Sequence, residues 1–203
     1  MHLIAKNIFN IIFTCFFIMF SLQNSATAQS KSNEAIEAEK ILDKINNAEP
    51  TKKGQTQREA ALEAAKIESE KMMKSSTNDE KKFSNAINIF RGFYLINSVA
   101  RPKYCLKYDV NINKFAEIFK NKYKKEFKVM SDYEKNHKLS DKDTREIFQM
   151  LDKAVATEIE MTASQNNITS KTLCSDFQVN ANYHVNAIDL KSRAPEIYNL
   201  LNK

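Results

Sequence analysis

Two glycines in 203 residues, Gly54 and Gly92, leave this chain few ways to turn sharply. Hairpins are built from residues that accept positive φ, above all in Asn-Gly and Asp-Gly pairs, and the sequence holds neither pair. Three prolines add little further punctuation. Between these sparse breakers, apolar residues recur every three or four positions, the period of a helix with one buried side. The fold class that follows is all-α: a disulfide-stapled helical bundle of about five helices. It spans residues 79–203, behind a charged two-helix N-terminal segment at 29–78 and a cleavable signal peptide at 1–28. The glycine scarcity also excludes chemistry, because nucleophile elbows and phosphate-cradling loops need clustered glycines.

The leader is read from hydropathy. An almost unbroken apolar run from Ile8 to Leu22 follows a short segment carrying Lys6, and leads through polar residues to Ala26-Thr27-Ala28. That pattern predicts export, with cleavage between Ala28 and Gln29. The run is roughly 15 residues, short of the roughly 18–20 that a span needs, and Lys31 alone makes no stop-transfer flank. Cys15 is unsuited to a lipid anchor, since Phe13 and Thr14 stand where small residues are required. The expected location is periplasmic or secreted, with no integral membrane span after cleavage. Loss of Lys6 leaves 31 − 1 = 30 basic residues against 25 acidic ones, a net of +5. So mild an excess demands no nucleic-acid partner, and none is expected.

Cleavage discards Cys15 and leaves two cysteines in an oxidising compartment. They are predicted to form a Cys105–Cys174 disulfide. Pro102, Tyr104 and Leu106 surround the first, and Leu173 and Phe177 the second, which suits a buried staple. A redox or nucleophilic thiol would want C-x-x-C, or a histidine and an acid arranged about one cysteine. In the chain-entropy model a bridge closing this loop stabilises the fold by about 4 kcal/mol.

The apolar spacing places the helices. Ala38, Ile41, Leu42 and Ile45 form a first stripe that ends at Pro50. A second helix opens with the capping box Thr56-x-x-Glu59 and has mostly alanine inside, with Leu62, Ile67, Met72 and Met73. From Lys31 to Glu80 there are nine basic and eleven acidic residues against thin apolar stripes, hence a helical hairpin packed loosely on the body or projecting from it, with partial disorder as the alternative. Phe83 to Val99 is apolar at ten of 17 positions, over so wide an arc that this helix belongs in the centre of the bundle. Thr77-x-x-Glu80 offers its cap. Next come a helix with Ile112, Phe115, Phe119, Tyr123 and Phe127 on one face, and one capped by Ser140 with Phe148, Leu151, Val155 and Ile159 inward. A helix from Thr169 or Ser170 then buries Cys174, Phe177, Ala181, Val185 and Ile188, and a last short one has Pro195 near its first position. The staple is expected to join the region where the Phe115 helix starts to the Phe177 helix.

Each candidate for chemistry has a structural reading beside it. Asp109, Asn111 and Asn113 begin like a calcium loop, but the positions for the glycine and the bidentate glutamate hold Lys114 and Lys120, which repel a cation. Capping suits Asp109 or Asn111 better, and no metal or cofactor is expected. His184 lies on the face that carries Cys174 and reads as a hydrogen-bonded histidine at the edge of the core. Lys120, Lys124 and Lys128 recur every four residues in a stretch with six lysines and two glutamates, Lys114 to Lys128. They are the candidate surface for an acidic protein, a polyanion or anionic lipid. A solvated outer face explains them too, because the aromatics there form one stripe and do not interleave with the charges.

The function expected is a non-catalytic binding protein of the cell envelope, of inhibitor, immunity or adaptor type. The alternatives are an envelope enzyme whose site is assembled from distant residues such as Glu158, Glu160 and His184, and a structural spacer.

Overall fold

The computed structural model describes residue 44 and residues 47–55, 57–76 and 78–203. The signal segment 1–28, its cut between Ala28 and Gln29, the stripe of Ala38, Ile41, Leu42 and Ile45, and the caps at Thr56 and Thr77 lie outside the described residues; so do the side chains of Leu62 and Met72. The regular structure among the described residues is all helix, with no strand. In chain order the helices are α1 (Gln57–Ser75), α2 (Asp79–Leu95), α3 (Arg101–Leu106), α4 (Asn113–Lys122), α5 (Lys124–Glu134), α6 (Asp141–Gln165), α7 (Ser170–Val179), α8 (Ala181–Ala187), α9 (Leu190–Arg193) and α10 (Pro195–Leu201). A turn of π-helix, Ile96–Ala100, joins α2 to α3 without a break.

That continuous helix from Asp79 to Leu106 is the axis of the molecule. Helices α1, α5 and α10 pack along α2, and α4 and α6 pack on the π-turn. The wide apolar arc read from Phe83 to Val99 is therefore enclosed, with Ala86, Ile87, Ile89, Phe90, Phe93 and Ile96 all buried. The rings meet edge to face, Phe93 lying 5.0 Å from both Phe119 and Tyr123, and Phe115 5.3 Å from Phe177. Such pairs add about 0.5–1.5 kcal/mol each beyond the area they bury. Helix α1 lies against α2 and buries Ala60 and Met73, whereas Ile67 is exposed.

The axis helix does not stop before Pro102, and the π-turn is the reason. Proline lacks an N–H, and its ring collides with the carbonyl four residues back in a regular helix. Here the helix is widened directly upstream, so that the Arg101 N–H reaches the Ile96 carbonyl, five residues back. Asn97 and Ser98 donate side-chain hydrogen bonds to the carbonyls of Phe93 and Tyr94, at 2.8 and 2.6 Å. Cys105 thus lies on the axis helix, ahead of α4, and its disulfide to Cys174 ties α3 to α7. Both cysteines are fully buried.

The helix boundaries follow local chemistry. Asn78 caps α2 by accepting from the Lys81 N–H, and Ser140 and Thr169 cap α6 and α7 as expected. Two ends close by the Schellman pattern with a non-glycine residue at positive φ. After α3, Asp109 (φ 60°) directs the Val110 N–H to the Cys105 carbonyl; after α6, Asn167 (φ 52°) directs the Ile168 N–H to the Ala163 carbonyl. The single helices expected over 111–127 and from Thr169 or Ser170 to Ile188 are each divided, at Tyr123 and at Asn180, where φ falls to −107° and −104°. Past Tyr123 the inward positions become Glu126 and Met130, and Phe127 moves out to 38% exposure. In α6 the inward row begins at Ile147, and Phe148 is only half-buried on the flank.

Candidate functional site

The charged residues inside the bundle are held by one another. Arg101 is wholly enclosed; its Nη2 donates to Glu158 Oε2 at 2.7 Å, and Glu158 is 3% exposed. Its Nη1 bonds the Asn97 amide oxygen one turn back, and its guanidinium lies 5.9 and 5.1 Å from the ring centres of Phe115 and Phe177. Carboxylate, amide and two ring faces together offset much of the hydration that Arg101 loses, while its Nε is left without a hydrogen-bond partner among the described residues. A second buried arginine, Arg91, donates to Glu134 and to Asn88, both at 2.6 Å, fixing α5 to α2.

The residues weighed as a dispersed acid–histidine site do not meet. Glu158 serves Arg101, while Glu160 accepts from the Tyr104 hydroxyl at 2.9 Å. Burial, helped by Tyr108 and Glu160, pushes the Tyr104 phenol above its ordinary range. His184 is fully buried, packed on Phe177 at 4.4 Å between ring centres, with Nε2 2.8 Å from Asp176 Oδ2. The acid accepts, so Nε2 carries the proton. The His184 hydrogen bond first, and then that of Asn180, holds the Asp176 carboxyl below its usual range against the opposing effect of burial. The pair bridges α7 and α8 across the break at Asn180. His184 thus lies deeper than the edge position its sequence context suggests.

The calcium-like stretch has other duties. Asp109 is the positive-φ residue that ends α3, and Asn111 Oδ1 accepts from the Asn113 N–H at the start of α4. No cluster of metal-ligating side chains occurs among the described residues.

The lysines face outward. Lys120 ends the exposed side of α4; Lys124, Lys125 and Lys128 line that of α5. Among the described residues none of the four has a carboxylate within ion-pair distance, whereas Lys122 reaches Asp189 at 3.5 Å and donates to the Val185 carbonyl. Lys128 contributes to the field that lowers Asp132, after the hydrogen bond and charge of Lys135. Of the two glutamates in this stretch, Glu126 is buried and accepts from the Asn202 amide, so it neutralises nothing on the surface. Phe127 emerges between Lys124 and Lys128, its ring stacked on Tyr94 at 4.5 Å. Aromatic and basic groups therefore do interleave here, contrary to the single-stripe reading. The break at Tyr123 causes it, by turning α5 relative to α4.

Several structural polar residues carried no recognisable motif. The Tyr123 hydroxyl donates to the Ile188 carbonyl at 2.7 Å and accepts from the Leu190 N–H at 3.0 Å, with burial raising its pKa. Arg193 donates to the Ala187 carbonyl. With Lys122, these groups close the C-terminal end of α8. One signal for Arg101 was present: Ile89, Phe93, Asn97, Arg101 and Cys105 recur every four residues, a row that stays inward only if the helix is wider than α. No protein-family model, curated protein or solved structure matches this chain.

Proposed function

We propose that the protein is an exported, non-catalytic interaction protein of the cell envelope, of inhibitor, immunity or adaptor type, that meets its partner through the lysine-bearing outer side of α4 and α5. The observation that carries this reading is the division of charge. The two buried arginines find their counter-charges within the fold, Arg91 at Glu134 and Arg101 at Glu158, while Lys120, Lys124, Lys125 and Lys128 stand exposed without an acidic partner among the described residues. Glu158, Glu160 and His184, the residues an acid–base mechanism would need, are each engaged in holding helices together. A disulfide, and the lack among the described residues of any helix long and apolar enough to cross a membrane, accord with a periplasmic or secreted protein.

The test is cross-linking in the native host followed by recovery from the envelope fraction. The reading expects a saturable adduct that the Lys120→Glu/Lys124→Glu double variant loses while keeping the helical content of the parent. An adduct that fails to saturate, or that the double variant retains in full, refutes it.

A further inference from the structure

We infer that the Lys124–Phe127–Lys128 face of α5 is an interfacial anchor for an anionic lipid surface. The inference keeps from the functional reading only that this lysine-bearing side is the contact surface, and assigns that surface to lipid in place of a protein. Three observations carry it. Lys124, Phe127 and Lys128 are neighbours at i, i+3 and i+4 on one helix face, with Lys125 beside them, and all four are exposed. Glu126, the acid within the cluster, is turned into the core and held by Asn202, and Asp132, one turn beyond Lys128, is paired with Lys135. The one large apolar side chain exposed on α4 and α5 is Phe127, in the middle of the lysines.

A ring flanked by lysines suits a bilayer. The ring enters the headgroup region while long side chains keep their ammonium groups at the phosphates. The arrangement is poorer for the other anionic partners. Single-stranded nucleic acid is held by a series of stacking rings along a track. Here there is one ring with one face already covered by Tyr94, and the other exposed aromatic residue among the described residues, Tyr183, belongs to α8. A protein partner of ordinary affinity is anchored by a cluster of aromatic and aliphatic side chains. Among the described residues the remaining exposed large aliphatic side chains are Ile67, Val99, Leu106 and Val179, on α1, the π-turn, α3 and α7.

The experiment uses the protein as its host processes it, wild type and variants alike, so that the processed form is common to all. Binding is measured by co-sedimentation with phosphatidylcholine vesicles, with and without phosphatidylglycerol. Each lysine near an anionic surface contributes about fivefold, so Lys124→Ala/Lys128→Ala is expected to weaken binding to the anionic vesicles about 25-fold. Binding of the parent should fall as salt rises. The chain contains no tryptophan, so Phe127→Trp supplies a single reporter at the centre of the face. Its emission should shift to the blue with anionic vesicles and stay unchanged with neutral ones. Equal binding to both vesicle types, undiminished binding by the lysine variant, or an unshifted reporter overturns the lipid assignment. So does quenching of the reporter by a single-stranded oligonucleotide at concentrations below those at which vesicles act. If vesicle binding fails while the saturable protein adduct persists and depends on these lysines, the functional reading stands and the lipid inference alone falls.

Discussion

Replacing Glu158 by glutamine should be among the most damaging single-atom changes available to this protein. The two side chains have nearly the same shape, so packing is preserved and only the charge opposite Arg101 is lost. Arg101 has no access to water and Glu158 almost none. Breaking a buried pair by removing one partner costs about 3–5 kcal/mol, because the remaining ion stays buried without compensation. Two features pull the value toward the lower end. Asn97 still accepts from the guanidinium, and the Phe115 and Phe177 rings still offer attraction worth roughly 1–2 kcal/mol. We therefore expect a loss of about 3 kcal/mol, a fall in Tm of about 6–12 °C for a chain of this size. Replacing both partners, Arg101→Met with Glu158→Leu, removes both desolvation costs and should return stability to within about 1 kcal/mol of the parent. Urea unfolding of the oxidised protein, followed by circular dichroism, reads the Glu158→Gln loss and, beside it, a double-mutant cycle of Arg101→Met, Glu158→Leu and the two combined. A Glu158→Gln cost below about 1 kcal/mol, or a double variant as unstable as the two single losses added together, would show that the pair is not the isolated buried unit described above.

Three further outcomes are expected. Reducing the protein, or replacing both Cys105 and Cys174 by serine, should lower stability by about 4 kcal/mol, measured as a change in the urea midpoint at constant slope; a loss under about 1 kcal/mol contradicts the role of the staple. Asp109→Gly and Asn167→Gly relieve L-residues held at positive φ and should each stabilise by about 0.5–1 kcal/mol, with thermal melts that fall instead of rising counting against the two Schellman endings. Asp176 has its carboxyl lowered in the fold, so its contribution is present above the ordinary carboxylate range near pH 4 and disappears as pH falls through the depressed value. The stability gap between the parent and Asp176→Asn should thus be full near neutrality and close under acid; a gap that widens as pH drops reverses the sign and refutes the assignment.

Much of the architecture was legible because helical burial leaves a periodic trace. The arc from Phe83 to Val99 announced a central helix, and Ser140, Thr169 and Pro195 marked helix starts through the chemistry of unsatisfied N–H groups. The cysteine pair followed from counting what remains after the leader is set aside. What could not be read was anything decided by a change of helical pitch. A regular helix has no room for the ring of Pro102, and the widened turn that makes room leaves no mark at any single position. Tyr123 and Asn180 likewise divide stripes that look continuous, and only the division turns Glu126 inward and Phe127 outward. Buried charge was hidden for a related reason: Arg101 and Glu158 are 57 residues apart, and each taken alone reads as one more residue of a solvated face.

The widened turn also sets a condition on oxidation. In a regular α-helix a row of residues four apart drifts around the axis by about 40° at each step. Over the three steps from Phe93 to Cys105 that amounts to about 120°. A chain that folded this helix with uniform pitch would aim Cys105 away from the partner thiol. Closure of the cross-link therefore certifies the pitch of the axis helix, and an oxidising compartment would retain the molecules that had wound it correctly.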